Sequence, residues 1–346
     1  MSGLPSLSTR RESLSLWGLL CATLILFVLC LFIGSVDIPA REVLTILTGG
    51  DASRPSWPVI VIGSRLITAI VALISGASLA IAGLMLQTTF ANPLAGPSIL
   101  GVSTGSSLGV AVVMLAFGGS LGFIGESVGI IVAAVAGAML VLGLLLGFSR
   151  ILNSSTMLLI VGILVGYLSS SAVSLLNFFA TQEGVHSFVI WGLGSFSGVS
   201  LPRLLVFAPV AVIFIALSML MVKPLDAMLL GDSYAANLGV DVRRSRNRLL
   251  LLSGILTAVV TAFCGPIAFV GMVVPHVARL LTRSTRHLIL MPATALAGAS
   301  LGLLCVLLSV LPGSRGIIPI NAITPVIGVP VILYVILNRH RLNLFG

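Results

Sequence analysis

Long apolar runs, nearly free of charge, recur along this chain; the first extends from Leu14 to Ile33. A helix rising about 1.5 Å per residue needs roughly 20 residues to cross a hydrocarbon core about 30 Å thick. Inside that core no water can satisfy the backbone, so each amide must pair within its own segment or within a closed barrel. The runs are about twice as long as a barrel strand and lack its alternating hydropathy. With 58% hydrophobic and 8% charged residues in 346, no soluble core could hide this much apolar surface. The chain reads as an all-α integral membrane protein, a single transmembrane domain over 1–346.

Spans are expected at 14–34, 63–86, 97–118, 125–147, 156–179, 202–222, 249–269, 270–283, 289–311 and 322–338, giving about ten transmembrane helices. The segment at 270–283 is short and contains Pro275, so a bent or partial span is expected there. An even count puts both termini on one side. Of the 18 Lys and Arg, 13 fall on the segments shared with the termini and 5 on the opposite side, which predicts cytoplasmic termini. Arg10 and Arg11 precede the first run, and no small-residue cleavage signature follows it, so it reads as a retained span.

Several function classes are disfavoured. The +9 charge reads as a topology signal, with no nucleic-acid partner expected. Cys21, Cys30, Cys264 and Cys305 lie in apolar runs without ligand spacing, so neither disulfides nor metal sites are expected. No ionisable residue falls securely in mid-membrane, which disfavours an ion-coupled secondary carrier. There is no GxxxxGK[ST] phosphate loop and no nucleophile–base constellation, so the chain is not expected to be an enzyme. Uphill movement would draw its energy from a partner. The 37 Gly and 16 Pro fit close helix packing, and some of them would line a path.

One hydrophilic island interrupts the apolar pattern, Pro224 to Arg248, reading PLDAMLLGDSYAANLGVDVRRSRNR. Asp232 or Ser233 can stand near an N-cap and Gly239 can end a short helix. On the cytoplasmic side such an element offers a docking surface; a basic loop held at anionic headgroups is the plainer reading.

Three stretches together resemble the FecCD/BtuC-like permeases, the membrane subunits of type II ABC importers for iron–siderophore complexes, haem and cobalamin. They are RLITAIVALISGASLAIAGLMLQTTFANPLAGPSILGVSTGSSLG from Arg65 to Gly109, GDSYAANLGV from Gly231, and GPIAFVGMVVPHVAR from Gly265 to Arg279. The resemblance covers nearly the whole chain from Arg65 onward. It implies the BtuC-like fold, a homodimer with its path at the dimer axis, two cytoplasmic ABC ATPase subunits and a periplasmic or lipid-anchored substrate-binding protein. ATP and Mg would sit on the ATPases, with no cofactor on this chain, and the location implied is the bacterial inner membrane.

The resemblance also suggests roles for particular residues. Within a coupling segment at 224–245, Gly231, Asp232, Ala235, Leu238 and Gly239 match the helix that rests in an ATPase cleft. The arginines at 243, 244, 246 and 248 are then mainly topology markers. Arg65 retains the first arginine of the outer RLPR docking motif, whose second position is Thr68 here, and Arg315 is a candidate replacement. A snorkelling interfacial arginine explains either one as well. Path candidates are Ser169, Ser170, Ser171, Asn177, Phe178 and Phe179 on the fifth span and Asn321, Thr324 and Pro325 on the tenth, though such hydroxyls and amides can equally bond helix to helix. Gln87 and Asn92-Pro93 read as a structural inner turn, His276 as an aid to ending a span, and His186 as a solvated loop residue. Iron–siderophore is the first expectation for cargo, ahead of haem and cobalamin.

Overall fold

The computed structural model describes residues 7–116, 123–152, 154–313 and 316–337, and these are helical without any strand. Seven helices are long and apolar enough to cross a membrane, and three shorter apolar helices accompany them; each expected span overlaps one of these. The long ones are α1 (Leu7–Phe32), α4 (Ile67–Thr89) with its lead-in, α6 (Phe123–Ile151), α7 (Ser155–Phe179), α9 (Leu201–Met219), α12 (Val242–Cys264) and α14 (His287–Ser309). The shorter ones are α5 (Val102–Ala111), α13 (Val270–Thr282) and α15 (Ile320–Leu337). Five short helices among the described residues lie between the expected spans: α2 (Ala40–Leu47), α3 (Ser56–Ile60), α8 (Gln182–Gly192), α10 (Val222–Met228) and α11 (Asp232–Asn237).

Helix α4 is the axis of the bundle, buried along nearly its whole length against α14, α12, α13 and α9. Small residues make this possible. A Cβ on Gly76 would stand 2.1 Å from the Gly298 carbonyl, and one on Gly83 would stand 1.7 Å from that of Gly271. The Gly271 carbonyl is also the one that Pro275 cannot serve, because proline has no N–H to donate four residues back. Helix α13 nevertheless continues through Pro275, and the next carbonyl, Met272, accepts from Gln87 Nε2 at 3.0 Å. Helix α4 thus adds a side-chain donor on the carbonyl next to the one the proline leaves unserved.

Two boundaries differ from the sequence expectation for local reasons. Helix α12 begins at Val242, several residues early, because Asp241 caps it by accepting from Arg244 N at 2.9 Å. It ends at Cys264, where Gly265 takes φ 76°. Before α4, the helix α3 (Ser56–Ile60) passes into a π-helical stretch, Val61–Leu66. On the surface nearby, Glu42 of α2 accepts from the Ser53 hydroxyl at 2.5 Å and from its N–H at 3.1 Å, which holds the Glu42 carboxyl below its ordinary range.

Candidate functional site

The two ends of α4 define two faces of the bundle. The island lies at the Thr89 end, folded as α10, a turn and α11. Gly231 precedes α11 at φ 96°, so Asp232 is its first helical residue rather than its cap. At the other end Gly239 N donates to the Ala236 carbonyl at 2.9 Å and Val240 N to that of Ala235 at 3.1 Å, with Gly239 at φ 83°. This is a Schellman termination, as the glycine's position in the sequence suggests.

The residues of α11 divide between two jobs. Ala235 is 0% exposed and packs into the main core, so it anchors the helix and is not itself a contact surface for a partner. Leu229, Leu230, Tyr234 and Leu238 point outward, with Leu238 59% exposed. Four large apolar side chains displayed on a polar segment form a patch of the kind that marks an interaction site.

The basic tail is more than a topology marker. Arg246 is buried, with its side chain 5% exposed, and its Nη2 lies 2.6 Å from Asp232 Oδ2. Arg243 Nη2 donates to the Arg150 carbonyl at 2.6 Å, tying α12 to the last turn of α6. Sequence reasoning also missed Asp226 on α10, whose Oδ1 accepts from His287 N at 2.8 Å and lies 2.8 Å from His287 Nδ1. His287 Nε2 is in turn 3.0 Å from Thr88 Oγ1 on α4. A lone histidine opening an apolar run after basic residues was the available signal.

Beside this chain lies a second buried polar group. Arg279 Nη1 donates to Gln87 Oε1 at 2.7 Å, and His276 Nε2 is 2.8 Å from the Pro93 carbonyl. Asn92 Oδ1 accepts from Leu94 N at 2.9 Å, forming the expected turn after α4. His276 therefore does not end a span: α13 runs six residues past it to Thr282, and its ring secures the α4–α5 turn.

At the opposite face Arg65 sits in the π-helical stretch and is 7% exposed. Its Nη1 donates to the carbonyls of Leu31 at 3.0 Å and Phe32 at 2.8 Å, and its Nη2 to that of Val36. These groups close the C-terminal end of α1, where orphan carbonyls and the helix dipole favour a cation. The guanidinium is thus turned inward onto α1, where the docking expectation has it facing outward. Arg65 also borders a cavity of about 310 Å³ lined in part by Ser35, Ser64, Thr68, Ser195 and Ser197. Arg315 lies outside the described residues.

The path candidates separate in the same way. On α7, Ser170, Ser171, Phe178 and Phe179 belong to a largely exposed face, with Phe178 80% exposed, and Tyr167, Leu168 and Leu175 extend it. Ser169 turns inward and donates to the Val165 carbonyl at 2.9 Å. Asn177 is half-buried, and its Oδ1 and Thr324 Oγ1 have no hydrogen-bond partner among the described residues. Asn321 is fully engaged in backbone bonds: its Nδ2 donates to the carbonyls of Gly192 at 3.0 Å and Pro266 at 2.6 Å, and its Oδ1 accepts from Ala268 N at 3.1 Å. In this conformation the amide is a staple among three segments, a job that the path expectation does not include. His186 is exposed on α8, and no group of three or more His, Cys, Asp or Glu is placed to hold a metal among the described residues.

A polytopic helical bundle with a structured polar island and an exposed apolar patch at one end has the architecture of a membrane permease subunit. The chain belongs to the FecCD transport family, whose model matches residues 22–338. It is 35% identical over 277 residues to the vitamin B12 import system permease protein BtuC of Vibrio cholerae serotype O1, covering 80% of this chain and 82% of the relative. To the BtuC protein of Escherichia coli O17:K52:H18 it is 33% identical over 298 residues, covering 85% and 89%. Among solved structures it resembles an inward-facing conformation of a metal-chelate type ABC transporter, with TM-score 0.80 and 31% identity over 94% of this chain and 98% of the other. The chain is a BtuC-like permease subunit of an ABC importer.

Proposed function

We propose that two copies of this chain form the membrane part of an importer in the bacterial inner membrane, served by two cytoplasmic ATPases and an external binding protein. The observation that carries this reading is the patch of Leu229, Leu230, Tyr234 and Leu238, an apolar surface on the segment predicted to lie in the cytoplasm. ATP binding closes the ATPases, the coupling segment moves with them, and the path changes the end at which it is open. The exposed α7 face with Ser170 and Phe178 lines the dimer axis and the path. Asp232, Gly231 and Gly239 set the geometry of the coupling helix, and Leu238 makes the contact.

The cargo is a metal chelate. Cobalamin takes first place over the ferric siderophore that the family's breadth alone suggests, because the relatives at 32–35% identity are vitamin B12 permeases. The ferric siderophore is the second reading, favoured by the metal-chelate structural neighbour. Proteoliposomes containing the permease and its ATPase, with binding protein outside and ATP inside, decide the order. Labelled cyanocobalamin should accumulate; accumulation of a ferric hydroxamate alone reverses the order. Uptake that survives substitution of the phosphate-loop lysine in the ATPase overturns the mechanism. Leu238→Asp should break assembly with the ATPase, read by size-exclusion chromatography.

A further inference from the structure

The coupling helix α11 is six residues long and bounded by Gly231 and Gly239, both at positive φ with open space around them. Backbone at such glycines yields easily, so a push on α11 would be absorbed there unless side chains carry it further. Two side-chain fastenings lead to different helices: Asp232 on α11 itself bypasses the glycines, and Asp226 on α10, before Gly231, takes up a push on the exposed Leu229 and Leu230.

The first starts at Asp226 on α10. The residue before α14, Arg286, supplies no side-chain cap, and the Asp226 carboxylate accepts the His287 N–H instead. A carboxylate at a helix N-terminus also suits the dipole. The same carboxylate favours the tautomer with Nδ1 protonated, and Nε2 then lies 3.0 Å from the Thr88 hydroxyl, whose proton it shares with the Leu84 carbonyl at 3.2 Å. Helices α14 and α4 then touch backbone to backbone, with Gly298 against Gly76 and Gly302 against Ala72, where there is no room for slippage. The second is Asp232 to the buried Arg246 at 2.6 Å, which joins α11 to α12, a helix packed against α4, α6 and α9.

We propose that these are positioning contacts for transport: Asp226–His287–Thr88 passes displacement of the coupling segment into α14 and α4, and Asp232–Arg246 passes it into α12. The inference deepens the coupling reading of α11 and rests on it. Without the fastenings the ATPases would still turn over, but the bundle would follow them poorly.

The test uses the complete complex in vesicles. Spin labels are placed at Ser233, Leu288 and Leu251, one per experiment, in a Cys21→Ala background, the other three thiols being buried. Distances between the two copies are read by pulsed electron resonance with and without ATP, Mg and vanadate. All three should shift in the parent complex. Asp226→Asn should keep the Ser233 shift and lose most of the Leu288 shift, whereas Arg246→Gln should lose the Leu251 shift. In either variant, ATP hydrolysed per cyanocobalamin or ferric hydroxamate carried should rise about twofold to thirtyfold, the range of coupling changes typical of such contacts. The swapped pair Asp232→Arg with Arg246→Asp should restore part of the Leu251 response. If a variant fails to assemble, Asp226→Glu and Arg246→Lys take its place, with intermediate losses expected. Undiminished Leu288 and Leu251 shifts overturn the inference, and a parent complex with no Ser233 shift overturns the coupling reading itself.

Discussion

Arg279 Nη1 donates to Gln87 Oε1 at 2.7 Å, and the same Gln87 amide donates from Nε2 to the Met272 carbonyl on Arg279's own helix. One side chain thus serves a buried cation and a carbonyl beside the proline of α13. Gln87→Ala removes both services. Hydrogen bonds to charged groups are worth about 1.5–3 kcal/mol, so a loss of about 2 kcal/mol is expected in denaturant unfolding of the purified protein. The double variant Gln87→Leu with Arg279→Leu should recover part of that loss, because removing both partners strands neither.

Arg65 separates two roles that the sequence leaves joined. A docking cation and a helix-closing cation both tolerate a positive charge, but only the second needs the forked geometry that reaches the Leu31, Phe32 and Val36 carbonyls. Arg65→Lys should therefore destabilise by about 1.5–3 kcal/mol, the scale of one lost hydrogen bond to a charged group. Affinity for the binding protein, measured by surface plasmon resonance on the reconstituted complex, should stay within about twofold, the change expected for a charge outside the docking surface. A large affinity loss with unchanged unfolding would restore the docking role.

How much of this was legible beforehand depends on range. Hydropathy places helices well because a run such as Leu14 to Ile33 has one physical solution in lipid, and Gly239 ended α11 through purely local geometry. The fates of Arg65, Arg246 and Asn321 were not local. Arg246 reads as a topology marker until the turn at Gly239 brings Asp232 back to it across 14 positions. Arg65 reads as interfacial because nothing in VIGSRL announces a π-helical stretch, which shifts the facing of every residue after it. Asn321 looks like a path amide, and only the fold brings Gly192, Pro266 and Ala268 around it.

Glycine contacts give a sharper test of the α4 packing. A Cβ at Gly83 would lie 1.7 Å from the Gly271 carbonyl, a backbone atom that cannot rotate away. Gly143 on α6 has nothing within 4 Å. Gly83→Ala should cost about 3 kcal/mol or more by forcing α4 and α13 apart, at or beyond the upper end of ordinary overpacking. Gly143→Ala should be neutral or stabilising by up to about 1 kcal/mol, through lower unfolded-state entropy. Thermal inactivation in detergent, scored as half-life, ranks the two; equal half-lives would reject the close α4–α13 approach.

Asn321 distinguishes a staple from a path lining. Its amide holds the end of α8, the crossing after α12 and the start of α15 through three backbone groups. Asn321→Leu leaves those groups unserved and about 1–3 kcal/mol is lost for each that stays buried. Asn321→Asp keeps the acceptor for Ala268 N but faces the Gly192 and Pro266 carbonyls with negative charge, so it should be worse than Asn321→Ser. Ser170→Ala on the exposed face of α7 should leave stability within about 0.5 kcal/mol, as surface substitutions do. Its effect should fall on uptake instead. Stability and initial uptake rate, measured on the same preparations, should therefore move in opposite columns: Asn321 variants lose protein, and Ser170 variants alter rate in protein that remains intact. A pair of Asn321 variants with normal stability and altered cargo preference would return that residue to the path.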